Sequence, residues 1–236
     1  MERLKKKLSS IAAGRVLDVG TGRGDFVEIL DANLKDYNEI IGIDSSEKAI
    51  EAAGKRFNSE NIKFLTVDAC NLNFEDESFD TVCISNTLHH LEEPNKILDE
   101  MKRVLKPEGR FIISEMFCDN QNEKQLNHVA WHHWIAEIKR IQGGIHNDTY
   151  KKDEILDIAK GVGFSSMESL EFNFPDDEAE NEEELKEFLK SFDELLIEVK
   201  DHPDYERLYE EKEKFQKSIL EIGMSNATEL FVIGIK

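Results

Sequence analysis

Short apolar runs alternate with helical patterns through the first two thirds of the chain. Such alternation is typical of βαβ units built around a parallel sheet, with helices covering both faces. The pattern predicts strands over residues 15–19, 39–43, 62–67, 81–85 and 110–114. Between them it predicts helices over residues 25–34, 46–57 and 94–105, the second of them capped by Ser46. We therefore expect an α/β fold with a doubly wound, mostly parallel sheet.

The pattern changes after Glu115. We predict a helix over residues 122–141 that is rich in His and Trp, a helix over 152–160 that ends at Gly161, and a strand over 167–174. Apolar residues at helical spacing follow on both sides of residues 201–204, which predicts a helical hairpin. A last strand is predicted over residues 228–235, and a short amphipathic helix over Leu4, Leu8 and Ile11.

Composition adds limits on partners and compartment. The 236 residues carry a formal net charge of −20, which argues against a nucleic-acid partner because the phosphates would be repelled. No apolar run is long enough to span a membrane. The three cysteines are scattered and predict free thiols in the cytoplasm, not a disulfide framework.

Charge is also concentrated in one segment. Residues 176–224 contain 18 acidic and 7 basic side chains, which marks a shift in composition. We interpret residues 1–236 as a single domain with two helical insertions, one over 116–150 and an acidic one over 176–224.

The most informative segment is the glycine loop after the first strand, with Gly20, Gly22 and Gly24 at G-x-G-x-G spacing. Closely spaced glycines let the backbone approach a ligand that a Cβ would exclude. A dinucleotide-binding loop would have its last glycine where this chain has Asp25, so we expect a ligand without a phosphate chain. Asp44 and Asp68 end the next two strands, at the sheet edge where ligands of open α/β sheets bind.

Five motifs in order resemble the class I S-adenosylmethionine-dependent methyltransferases, in particular the small-molecule branch that includes quinone-biosynthesis enzymes. They are residues 16–24 with Asp44, residues 67–69, residues 79–82, residues 88–91 and residues 105–109. The resemblance covers residues 10–115, and more loosely 150–175 and 226–236. It implies a seven-stranded sheet whose last strand is antiparallel.

The resemblance also implies a cofactor site for S-adenosylmethionine, with S-adenosylhomocysteine as product. Asp18 and the three loop glycines would line the methionine part. Asp44, with Ser45 beside it, would accept the ribose hydroxyls. The adenine would contact Asp68, Ala69 and Cys70. The sulfonium and the incoming acceptor would lie near Ser85 and Asn86.

Histidines are the candidates for acid–base chemistry. His89 and His90 follow the fourth strand near the expected acceptor, and His146 lies in the first insertion, so these three are our candidate catalytic residues. His128 and His132 have metal-pair spacing, but the pair lacks a third ligand and Val129 replaces the Glu of H-E-x-x-H, so we predict no metal. Trp131 and Trp134 either cover a planar acceptor or belong to the core.

We therefore predict methyl transfer from S-adenosylmethionine to a small-molecule acceptor by a monomer or homodimer, with the two insertions acting as a lid. For the acidic hairpin, a dimer interface or a solvated appendage are the alternatives to a lid. Two other hypotheses remain at this point. One is a non-catalytic member of the fold that binds the cofactor or a partner. The other, which the glycine spacing and Asp25 disfavour, is a nicotinamide-dependent oxidoreductase.

Overall fold

The computed structural model describes residues 1–174 and 182–236, with the backbone alone for 182–186. Within these residues seven strands form one sheet: β1 (Arg15–Val19), β2 (Glu39–Asp44), β3 (Ile62–Thr66), β4 (Phe79–Ser85), β5 (Leu105–Met116), β6 (Ser166–Phe172) and β7 (Glu229–Ile235). Their order is β3-β2-β1-β4-β5-β7-β6. β1 to β5 are parallel, and β7 is antiparallel to both of its neighbours. The predicted sheet with an antiparallel last strand is confirmed.

The helices alternate with the strands as the pattern predicts. They are α1 (Glu2–Leu8), α2 (Asp25–Asn33), α3 (Glu47–Arg56), α4 (Pro94–Val104), α5 (Glu123–Ile141), α6 (Lys152–Val162), α7 (Glu182–Ile197) and α8 (Tyr205–Ile222), with a short 3-10 helix at Leu88–His90. Ser46 caps α3, its Oγ accepting from the Ala49 N–H at 3.2 Å. Among the described residues, no helix is both long and apolar enough to cross a membrane.

Two apolar layers bury the two faces of the sheet. Because side chains alternate along a strand, Leu17 and Val82 face a layer closed by α4 and α6, while Val16 and Cys83 face a layer closed by α1 and α2. Burial on both faces explains why these strands read as nearly continuous apolar runs. The carboxyl ends of β1 to β4 are left together at one edge.

Several predicted boundaries were wrong; β4 begins at Phe79, not at residue 81, and β6 ends at Phe172, not at residue 174. Gly161 does not end α6, because Val162 is buried in the core and the helix continues to Gly163, whose φ of +78° ends it. β5 begins at Leu105, five residues before its predicted start, with an irregular register between Phe79 and Thr81 of β4.

α5, α7 and α8 pack together in what we call the helical cluster. Its core contains Trp134, Phe192, Leu208 and Phe215, and the Trp134 Nε1–H donates to the Leu208 carbonyl at 3.0 Å. Trp134 is 3 % exposed, so it is a core residue. Two helices, α7 and α8, lie on either side of residues 201–204, where the helical hairpin is predicted, whereas residues 176–181 and the Leu185 side chain lie outside the described part of the chain.

Candidate active site

The loop after β1 depends on its glycines. Gly20, Gly22 and Gly24 all have left-handed backbones, with φ of +70°, +55° and +86°. A Cβ on Gly20 would lie 2.3 Å from Thr87 Cγ2, so packing also requires glycine there. Nothing lies within 4 Å of a Cβ on Gly22, which therefore faces open space.

Asp44 connects this loop to the end of β2. Its carboxylate accepts from the Gly22 N–H at 3.0 Å and from the Ser46 N–H at 2.8 Å. Each oxygen thus accepts one hydrogen bond and keeps a lone pair for a ligand. Asp68, after β3, accepts from the Cys70 N–H at 2.8 Å.

A cavity of about 420 Å³ lies at this edge of the sheet. It is lined by seven of the predicted cofactor-binding residues, namely Gly20, Gly22, Asp44, Ser45, Asp68, Ala69 and Asn86, and also by Thr87 and His90. Asp18, Gly24 and Ser85 are not part of the lining. Gly24 caps α2, Ser85 ends β4 and Asp18 is buried.

Asp18 is unusual among these acids. It is 1 % exposed, and both carboxylate oxygens are buried without a hydrogen-bond partner in the described part of the chain, as is the Thr21 hydroxyl. Burial raises the pKa of Asp18 to about 7; the Thr21 side chain beside it partly offsets this rise although the pair misses hydrogen-bond geometry, and the nearby Asp44 carboxylate raises the pKa further. Without a ligand, about half of the Asp18 side chains would therefore be protonated at pH 7.

Asn86 has a strained backbone that its neighbours hold in place. Its φ is +45°, its Oδ1 accepts from the Met116 N–H at 2.9 Å, and its Nδ2 donates to Glu229 at 2.6 Å. Ser114 Oγ donates to the same carboxyl group at 2.9 Å. Burial raises the pKa of Glu229 to about 7. The sequence reasoning missed Glu229, since only the antiparallel pairing of β7 brings it to this edge.

Four imidazoles meet beside the cavity, and we call His89, His90, His132 and His146 the histidine cluster. The ring centroid of His90 lies 4.2 Å from the centroids of His89 and His146. The ring centroid of His132 lies 4.9 Å from each of the same two centroids. Burial lowers the pKa of His90 to about 3, of His132 to about 2 and of His146 to about 4. These three rings are therefore neutral at pH 7. The structure brings the three histidines proposed as catalytic together and adds His132.

A buried carboxylate orients the cluster. Glu115 is fully buried at the end of β5 and accepts from the backbone N–H groups of Thr87 and Leu88, at 3.2 and 3.1 Å, and from His89 Nδ1. The sequence reasoning also missed Glu115. An acidic residue at the carboxyl end of an apolar strand was the signal that could have identified it.

The segment after α5 is held against the 3-10 helix. The Asn147 N–H donates to the His89 carbonyl at 2.7 Å, and Arg140 donates to the His146 carbonyl at 2.6 Å. His128 stays outside the cluster, because its Nδ1 accepts from the Ala227 N–H at 2.9 Å. The i, i+4 spacing of His128 and His132 therefore does not form a pair of ligands.

The chain is similar to known methyltransferases in sequence and fold. Residues 17–113 match the model of a methyltransferase domain family. A demethylmenaquinone methyltransferase from Staphylococcus saprophyticus is 30 % identical over 179 residues, which are 75 % of this chain and 70 % of that protein. The chain belongs to the class I S-adenosylmethionine-dependent methyltransferases.

Solved structures agree on the fold of this methyltransferase. A putative methyltransferase from Bacillus halodurans has a TM-score of 0.62 at 16 % identity, covering 100 % of this chain and 99 % of the other. A Haemonchus contortus phosphoethanolamine N-methyltransferase in complex with S-adenosyl-L-methionine has a TM-score of 0.59 at 20 % identity, covering 100 % of this chain and 51 % of the other.

The family assignment confirms the predicted activity. This methyltransferase transfers a methyl group from S-adenosylmethionine to a small-molecule acceptor, which decides against both alternative hypotheses. The family match ends at residue 113, so it includes His89 and His90 but neither His132 nor His146. The methyltransferase therefore completes its histidine cluster with residues from outside the matched domain.

Proposed function

We propose that the cavity of about 420 Å³ at the carboxyl ends of β1 to β4 binds S-adenosylmethionine and releases S-adenosylhomocysteine. The observation that carries this proposal is the meeting of Gly22, Asp44 and Asp68 from three separate strand ends at one cavity. Ligands of open α/β sheets bind at this edge.

The glycine loop fits the methionine part. Gly22 leaves open space where any other residue would place a Cβ, so the ligand can lie against the backbone there. Gly20 and Gly24 maintain the loop conformation. Among the described residues, neither carboxylate oxygen of Asp18 has a hydrogen-bond partner; because Asp18 lies just outside the cavity lining, we assign it to the ammonium group through one water.

The nucleoside part fits the next two strand ends. Both oxygens of Asp44 keep a lone pair for the ribose hydroxyls, and Ser45 lies beside it in the lining. Asp68 and Ala69 would meet the adenine. Cys70 is absent from the lining, so we assign it no contact with the ring.

Asn86 and His90 line the cavity and would flank the transfer, whereas Ser85 is absent from the lining, so we assign it no contact with the reacting groups. Bound S-adenosylmethionine supplies an electrophilic methyl carbon, and the protein has to align the acceptor and exclude water. A pKa of about 3 makes His90 a weak base, so we assign it a hydrogen bond that orients the acceptor. His89, oriented by Glu115, and His146 keep the predicted acid–base roles only where neither ring binds a metal ion.

The acceptor side lies toward the helical cluster, which we propose as the lid. α5 supports this assignment by carrying His132 beside His89 and His146.

The net charge of −20 supports a small acceptor over a nucleic acid. The free thiols support a cytoplasmic location. We further propose that the enzyme acts as a monomer or homodimer.

Calorimetric titration with S-adenosylhomocysteine tests the cofactor site. We expect micromolar binding to the wild type, and binding about 10- to 100-fold weaker in Asp44→Asn because hydrogen bonds to a charged group are lost. Asp157→Asn, an exposed acid on α6, is the matched control and should bind like the wild type. Equal affinities for wild type and Asp44→Asn would place the cofactor elsewhere.

A further inference from the structure

We propose that His89, His132 and His146 form a binding site for one divalent transition-metal ion of the zinc class, with a fourth coordination position left open. One ring nitrogen from each of the three lies within 4.8 Å of the other two. Three imidazoles and one open position are the donor set of catalytic zinc sites.

Unpartnered nitrogens point to a ligand at this place. His132 Nδ1 and His146 Nε2 are buried, and neither has a hydrogen-bond partner in the part of the chain that the structure describes. His146 is 91 % buried, at 9 % exposure. Buried polar atoms normally have partners, so two unpartnered nitrogens on rings whose centroids are 4.9 Å apart need an explanation. A shared metal ion satisfies both.

His89 has the support that metal-bound histidines usually have. A ligating imidazole commonly donates its other ring N–H to a carboxylate, which fixes the tautomer and the ring orientation. Here Glu115 accepts from His89 Nδ1, so Nε2 is the nitrogen left for the metal. The fully buried carboxylate also supplies negative charge close to the cation.

The required movement is small. Tetrahedral coordination at about 2.0–2.1 Å would put the nitrogens about 3.4 Å apart. The rings must therefore draw together by little more than one ångström from their widest separation. The backbones of His89 and His146 are already held by Asn147 and Arg140, so the rings would approach each other by side-chain rotation.

The location of the metal site also points to a role in methyl transfer. This role, unlike metal binding itself, rests on the proposed function. His90 lies against His89 and His146 and also lines the cofactor cavity, so the metal would lie on the acceptor side. A hydroxyl or thiol of the acceptor bound at the open position would lose its proton to solvent more readily. Its oxygen or sulfur would then bond to the methyl carbon as the carbon–sulfonium bond breaks, leaving neutral S-adenosylhomocysteine.

Metal titration of the full chain tests the site. Protein stripped with a chelator is titrated with Zn²⁺ against a chromophoric competitor, and with Co²⁺ as a spectroscopic probe. We expect one Zn²⁺ per chain and an intense tetrahedral Co²⁺ absorption that azide shifts by occupying the open position. His132→Asn and His146→Asn should each weaken Zn²⁺ binding at least 100-fold.

His128→Asn is the matched control, since it removes another imidazole of α5 whose Nδ1 is already bonded. It should bind Zn²⁺ like the wild type. The proposal is overturned if wild type, His132→Asn and His128→Asn bind with one affinity, or if Co²⁺ stays octahedral. Titration of each protein with S-adenosylhomocysteine separates the two proposals, because loss of the metal site alone leaves cofactor binding intact. Circular dichroism of each variant identifies any that fail to fold.

Discussion

Glu115 and His89 form a buried acid–imidazole pair across the ends of two neighbouring parallel strands. Glu115 is the last residue but one of β5, and His89 lies in the 3-10 helix that follows β4. Two backbone N–H groups also bond the carboxylate, so its position is fixed from three directions. The pair thereby sets both the turn after β4 and the orientation of the His89 ring.

Replacing Glu115 with Gln should destabilise the protein by about 2–4 kcal/mol, because a buried network of three hydrogen bonds loses its charged acceptor. Urea denaturation at pH 7 measures the change. Glu92→Gln, an exposed acid after the same turn, should leave the free energy of unfolding within about 0.5 kcal/mol of wild type. Equal effects of the two changes would mean that the pair contributes nothing to stability.

Asp18 should make the ligand-free protein less stable as pH rises. Its pKa is raised from 3.8 when unfolded to about 7 when folded. Between these values the folded chain holds a proton that the unfolded chain has released, so stability falls as pH increases from about 4 to 7. The whole shift corresponds to roughly 4 kcal/mol.

Asp18→Asn removes this dependence, so the variant should gain stability relative to wild type between pH 5 and pH 8. Urea denaturation at both pH values measures the difference. A difference between the two proteins that is independent of pH would mean that Asp18 is already ionised in the folded state at pH 5.

Gly22→Ala should weaken binding of S-adenosylhomocysteine more than tenfold while costing only about 1–2 kcal/mol of stability. The methyl group would occupy cavity space, and a φ of +55° strains any residue with a Cβ. Calorimetry and thermal unfolding give the two quantities. Gly54→Ala, on the exposed side of α3, should instead raise stability by up to about 1 kcal/mol and leave binding unchanged.

Trp134→Ala should destabilise the helical cluster by about 3–5 kcal/mol, because a buried indole and its hydrogen bond to Leu208 are lost. Urea denaturation measures the loss. Leu220→Ala, 62 % exposed on α8, is the control and should change stability little. A comparable loss of unfolding free energy in both variants would mean that the buried Trp134 side chain stabilises the helical cluster no more than an exposed leucine does.

Much of the cofactor side was determined by the sequence alone. Apolar runs that end in Gly20 to Gly24, Asp44 and Asp68 specify strand ends, and parallel strands bring their carboxyl ends to one edge. The order of these residues along the chain therefore predicted their meeting, and the glycine spacing predicted a backbone that a ligand can approach closely; the left-handed φ values come from the structure. Local periodicity and turn chemistry are enough for this because each signal lies within one βα unit.

Only the tertiary structure decided the histidine cluster and its acids. His89, His132 and His146 come from the 3-10 helix, α5 and the segment after α5, with no spacing that links them. Glu229 reaches the site from the far end of the chain because β7 inserts between β5 and β6. The local sequence pattern could not predict which of these residues meet, because packing between distant segments of the chain brings them together. Helical spacing instead suggested a ligand pair of His128 and His132, which the fold does not form because His128 Nδ1 is bonded to the Ala227 N–H.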